Sequence, residues 1–170
     1  MGFLERLRQE KERKDLEQAE LREQEVRAKA LIEAQEVATR QEYQKREEQA
    51  RLFNEESGIL DMLNEMKKPL VADVGSCRDK NASVFNTFRW DAKSQHDKHK
   101  GDYYIGKYFE VEVTFDGYIK FLASKSGSSA IQRAQWLGNR LVLEEALEKA
   151  YSHPTTITWN NHPVKTQYSN

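Results

Sequence analysis

Cysteine occurs once, at Cys77, which excludes an intramolecular disulfide and any zinc site built on several thiolates. Proline occurs three times and glycine eight times, and neither falls between residues 3 and 53. A segment without either breaker is open to one uninterrupted helix. Long apolar runs are missing too. No stretch approaches the roughly 18 residues of a membrane-spanning helix, so a membrane is not an expected partner. The first residues hold no apolar signal-peptide core, and Arg6 stands where a myristoylation pattern needs Ser or Thr. A cytoplasmic location is the expectation. An excess of one charge sign is absent as well: the formal net charge is −1, which argues against a dedicated DNA-binding protein.

What is present divides into two unlike parts. Residues 1–56 hold twelve Lys and Arg against fifteen Asp and Glu, and residues 57–170 hold fifteen against thirteen. The first part is dominated by Glu, Gln, Arg, Lys, Ala and Leu, all good helix formers. Glu precedes a basic residue by four at Glu10/Lys14, Glu23/Arg27, Glu25/Lys29, Glu36/Arg40, Glu42/Arg46 and Glu47/Arg51. Each such pair supports a helix by roughly 0.2–0.5 kcal/mol. The expectation is one helix of about 50 residues, about 75 Å long, much of it projecting from a domain formed by residues 57–170. In a coiled-coil register with Leu7, Lys14, Leu21, Ala28 and Gln35 at a, the d positions are Leu4, Lys11, Gln18, Glu25 and Ile32. Half of these are polar, a poor seam for a long coiled coil. Apolar content peaks at residues 28–38, then at Tyr43, Ala50 and Phe53.

The second part reads as α+β. Ser57 is the expected N-cap of a short helix with Leu60, Leu63 and Met66 on its apolar face, stopped before Pro69. Residues 70–82 read as loop, 83–92 as a strand, and 93–102 as a polar loop. Phe109, Val111, Val113 and Phe115 alternate with Glu110, Glu112 and Thr114, the period of a half-buried strand. Asp116-Gly117 signals a type I′ hairpin turn, with a return strand over 118–124. A helix is expected over 129–151, with Ile131, Ala134, Leu137, Leu141, Leu147 and Ala150 towards the core, then a strand over 155–159. The architecture expected is a mainly antiparallel sheet packed on that one helix.

Several motifs suggest chemistry. Gly101, Gly106 and Lys107 have the spacing of a phosphate-binding P-loop. A P-loop must enter a helix and end on Ser or Thr, whereas here Tyr108 takes that place and a strand follows. Gly106 is better read as a bulge or close approach. The segment 124–130 is a better anion candidate, because Lys125, Ser128 and Ser129 would precede a helix N-terminus, with Arg133 and Arg140 further along. Lys93, Lys98 and Lys100, with Tyr103, Tyr104 and Lys107, mix basic and aromatic side chains as single-stranded nucleic acid requires. His96, Asp97 and His99 form too weak a set to expect a metal. No pairing marks Cys77 as a nucleophile, so neither a catalytic residue nor a cofactor is expected.

The order of a helix (57–67), three strands and a helix (129–151) resembles the double-stranded RNA-binding domain, and the resemblance implies recognition of RNA shape. That family's lysine cluster at the start of the last helix is represented only by Lys125 and Arg133.

The leading expectation is a non-enzymatic interaction protein, an accessory subunit of a larger assembly. It would dock on a protein partner or on itself through residues 1–56, with Leu31, Ile32, Val37, Tyr43 and Phe53 as apolar contacts. A second reading is binding of structured RNA or a ribosome through 93–100 and 120–140. A third is a small phosphate-ligand enzyme at 124–130.

Overall fold

A computed structural model describes residues 2–78, 81–99, 101–122 and 129–160. The elements run α1 (Phe3–Ser57), α2 (Ile59–Leu70), β1 (Asp73–Arg78), β2 (Val84–Asp97), β3 (Gly101–Val113) and β4 (Tyr118–Leu122), then β5 (Ser129–Gln132), α3 (Arg133–Trp136), α4 (Arg140–Ser152) and β6 (Thr155–Asn160). The fold is α+β, a long N-terminal helix followed by a six-stranded antiparallel sheet. Strand order is β1-β2-β3-β4-β5, and β6 pairs with β3 beside β4. Two compact units divide the chain at Met1–Glu42 and Tyr43–Asn170, so the last turns of α1 belong with the sheet.

The glycine-free, proline-free stretch forms the helix expected of it, and Gly58 ends it by adopting a left-handed φ of 68°. Ser57 is not the N-cap of α2. It is the last residue of α1, where its Oγ donates to the Asn54 carbonyl (2.8 Å) and accepts from the Ile59 N–H (3.3 Å). Ile59, Met62 and Leu63 form the buried face of α2.

In the second unit one sheet face takes the core and the other is half-exposed, as the alternation in β3 requires. Phe88, Trp90 and Phe109 pack with ring centroids 5.1–5.8 Å apart, and Tyr151 of α4 stacks on Trp90 at 5.0 Å. Ala50, Ile59, Leu63, Leu143 and Leu147 close over them. Each large side chain so buried contributes about 1.5–3 kcal/mol, and each aromatic pair about 0.5–1.5 kcal/mol more. Asn86 is fully buried among these groups, and its Nδ2 donates to Asn54 Oδ1 of α1 (2.6 Å) while its own Oδ1 has no partner.

Other local expectations change: α2 does not stop before Pro69 but runs on to Leu70 with the proline inside it. Residues 73–78, expected as loop, form the edge strand β1, because Val74 and Ser76 pair with Phe88 and Asn86 on the core side. The polar stretch 93–102 is not a loop either: β2 continues to Asp97 and β3 starts at Gly101, giving a two-stranded ribbon. In the β3–β4 hairpin Gly117 alone has positive φ (82°), and Gly117 N–H donates to the Thr114 carbonyl (3.0 Å). That is a turn closed by one left-handed glycine, not a type I′ turn. The helix expected over 129–151 is strand β5, a single turn and then α4, broken at Gly138 (φ 75°). Ile131 pairs with Ile119, Trp136 takes the core place, and Leu137 and Leu141 are exposed. With these added strands the chain departs from the α-β-β-β-α order of the RNA-binding resemblance.

Replacing Asn86 by Ala should cost about 1–3 kcal/mol, because Asn54 is left buried without its donor. The double variant Asn54→Leu/Asn86→Leu should lie nearer the parent than the single losses added together. Urea denaturation of the parent, Asn54→Leu, Asn86→Leu and the double variant measures the coupling.

Candidate functional site

Where β2 and β3 leave the helices, the register shifts between Trp90 and Lys93. Asp91 sits in the bulge with φ 53°, a left-handed conformation that aspartate tolerates better than most side chains. The bulge opens a hollow of about 510 Å³ lined by Asp91, Ala92, Lys93, Ile105, Gly106, Lys107 and Thr156. Gly106 does mark a close approach. A Cβ there would lie 2.7 Å from Cη2 of Trp159 and 2.8 Å from the carbonyl oxygen of Trp90.

The chemistry of this hollow is limited. Lys107 Nζ meets Asp91 Oδ2 at 2.8 Å, and the hydrogen bond and charge of Asp91 raise the pKa of the ammonium. A lysine held charged is neither a nucleophile nor a base. On the opposite sheet face the Tyr108 hydroxyl donates to the Glu110 carboxylate. Burial first, then Glu110, raises its pKa well above the ordinary phenol range. His96 Nδ1 meets Asp102 Oδ1 at 2.7 Å, and Asp97 Oδ1 accepts from the His99 N–H. Among the described residues no group of three His, Cys, Asp or Glu is placed to hold a metal ion.

Among the described residues, several of the basic side chains singled out in the sequence are held in ion pairs. Arg133 pairs with Glu56 (2.9 Å) and lies over the Phe53 ring (4.6 Å). Arg140 is shared by Glu65 and Glu144, both at 2.7 Å, and Lys120 pairs with Glu112 at 3.1 Å. Ser129 lies in strand β5 opposite Phe121, so no helix N-terminus faces it. Lys100, Lys125 and Ser128 lie outside the described residues. Lys93 lines the hollow, and Lys98 is at the ribbon's turn. Tyr103 donates from its hydroxyl to Gln95 Oε1 across the ribbon (2.8 Å), and Tyr104 stacks on Trp159 with centroids 6.1 Å apart. Trp159, which also lies under the Arg89 guanidinium at 5.1 Å, went unnoticed in the sequence, as did Asp91. The only hint of Asp91 was the break in alternation after Trp90.

The apolar residues of α1 divide. Leu31, Ile32 and Val37 are 62%, 56% and 50% exposed, and Tyr43 is at the edge of exposure. Phe53 is half-buried against the core under Arg133, so it is a fold contact. Every residue described between 2 and 42 is exposed.

Gly106→Ala should destabilise the second unit by about 1–3 kcal/mol, since a backbone carbonyl must shift to admit the methyl group. Thermal and urea denaturation report it. Phenol ionisation followed at 295 nm should contain a component above the ordinary tyrosine range, which Tyr108→Phe removes. A raised phenol pKa in the folded state means that its stabilising contribution is full below about pH 10 and is lost as pH rises through the folded value. Comparison with protein-family models, curated proteins and solved structures finds no match, so the functional reading rests on the residues and their geometry.

Proposed function

We propose that the chain is a non-enzymatic interaction protein, an accessory subunit of a larger assembly, and that residues 3–42 of α1 are its docking element. The observation that carries this reading is the helix's exposure. Leu4, Leu7, Leu16, Leu21, Val26 and Leu31 are all more than half exposed on a helix with no buried residue before Ala50. Forty helical residues offer about 60 Å of contact length, far more than the hollow beside Asp91. The ion-paired state of Lys107 and Arg140 supports the non-enzymatic part of the reading, because neither is poised to exchange a proton. Among the described residues no helix is long and apolar enough to cross a membrane, and a cytoplasmic setting belongs to the proposal.

Nucleic acid is the second reading, favoured by one feature: Tyr103, Tyr104 and Trp159 stand half-exposed near Lys93 and Lys98. Its charge supply is thin, since Lys107, Lys120, Arg133 and Arg140 each have a carboxylate partner.

The test compares the full chain with one starting at residue 43. A cut at residue 56 would remove Ala50 and Asn54 from the core and confuse unfolding with loss of docking. The shorter chain should keep its cooperative unfolding and lose the partner captured from native extract, with nuclease treatment making no difference. Capture that survives the cut removes the docking role, and capture abolished by nuclease supports the nucleic-acid reading.

A further inference from the structure

The exposed helix carries its charge in blocks. Residues 6–14 hold five basic and two acidic side chains, net +3, and residues 15–25 hold five acidic and one basic, net −4. Pairing within the helix satisfies only part of this. Glu10 meets Arg13 and Lys14 at 3.4 and 3.5 Å, and Glu23 meets Arg27 at 2.5 Å. Arg6, Arg8 and Lys11, like Glu17, Glu20 and Glu25, form no ion pair with any described residue. Two adjacent blocks of opposite sign, each under-neutralised, are complementary to the same two blocks read in reverse.

We infer that residues 4–28 pair antiparallel with the same segment of a second copy. The inference rests on the docking role of residues 3–42 and names the partner. A parallel pair would set each block against itself and place Lys11, Lys14 and Glu25 opposite their own copies in the seam. An antiparallel pair centred near Leu16 sets residues 6–14 of each copy against 18–26 of the other, where Glu20, Glu23 and Glu25 outnumber Arg22. Twofold symmetry makes that contact twice. The seam then places Leu4 opposite Ala28 and Lys11 opposite Leu21, so that the lysine stem covers the leucine while its ammonium reaches water. Leu4 and Leu21, 73% and 55% exposed in the single chain, are covered. Because Lys14 meets Gln18 at the centre and Leu7 meets Glu25, apolar contact is discontinuous and charge must supply much of the attraction. The pair is therefore expected to be reversible and salt-sensitive.

Sedimentation of the full chain tests this. The expected result is a dimer whose dissociation constant rises at least about tenfold between about 20 mM and about 500 mM salt, as screening shortens the range of the charge interaction. Arg8→Glu with Lys11→Glu should leave a monomer of unchanged far-ultraviolet helicity. Adding Glu20→Lys and Glu23→Lys to that variant should restore the dimer, because both blocks are then reversed together. A chain that stays monomeric at low salt and about 100 µM, where even weak charge-driven association registers, overturns the inference. So does a dimer indifferent to the charge reversals. A monomer that still captures a partner through residues 1–42 leaves the docking role standing without self-pairing. A dimer that persists in the chain starting at residue 43 removes self-pairing through this helix.

Discussion

The packing of Phe88, Trp90 and Phe109 on one face of the sheet is the constraint on which the rest of the second unit depends. Side chains alternate across a strand, so a slip of one residue between β2 and β3 would turn the cluster towards water. With the register held, Asn86 must face inward two residues before Phe88, and it needs a polar partner there. Asn54 supplies one, which seats the last turns of α1 at a defined height and rotation over β2. Arg78 with Glu47, and Arg133 with Glu56 and Phe53, close the rim of the same contact. The bulge after Trp90 then lets the two strands run on as a ribbon beyond the helices, and β6 caps that extension through Trp159 over Gly106.

Much of this was legible where the physics is local. The long helix follows from helix formers without Gly or Pro, the β3–β4 hairpin from strict alternation around Asp116-Gly117, and the close approach from Gly106 inside a strand. What could not be read depends on pairing across the chain. β1 contains Gly75, Ser76 and Cys77 and has no strand signature of its own; it exists because β2 offers an edge. Ser129–Gln132 looks helical next to residues 140–152, yet β4 recruits it as a strand. Ser57 has the residue type of an N-cap, but Gly58 carries the conformational break. The pairing of the basic residues could not be read for the same reason. Residues 117–143 contain basic side chains and no acidic one, but Glu56, Glu65 and Glu112 come from elsewhere in the sequence to neutralise them.

Charge therefore has different consequences in the two units. In the second, the fold brings Lys107, Lys120, Arg133 and Arg140 to carboxylates from elsewhere in the sequence. In the first, partners are limited to side chains three or four residues away, and sequence order decides which charges are matched. The run of basic residues before Asp15 and of acidic ones after it cannot all be matched that way. Unmatched charge on an exposed helix costs little in water, so the fold tolerates it, and it is this charge that the proposed antiparallel pairing would use.

α1 is also one helix held by two kinds of force. From Tyr43 to Ser57 burial of Ala50 and Asn54 fixes it against the core. Before that, no residue is buried, and the helix rests on intrinsic propensity and on pairs such as Glu23 with Arg27. Nucleation is the costly step in helix formation, while extension from an existing turn is close to neutral or favourable for such residues. The packed end supplies the nucleus, and the charged residues need only propagate it. That division explains how forty exposed residues stay ordered without a core of their own. It also explains why their apolar side chains are free to serve a partner: Leu4, Leu21 and Ile32 are not needed for the helix to form.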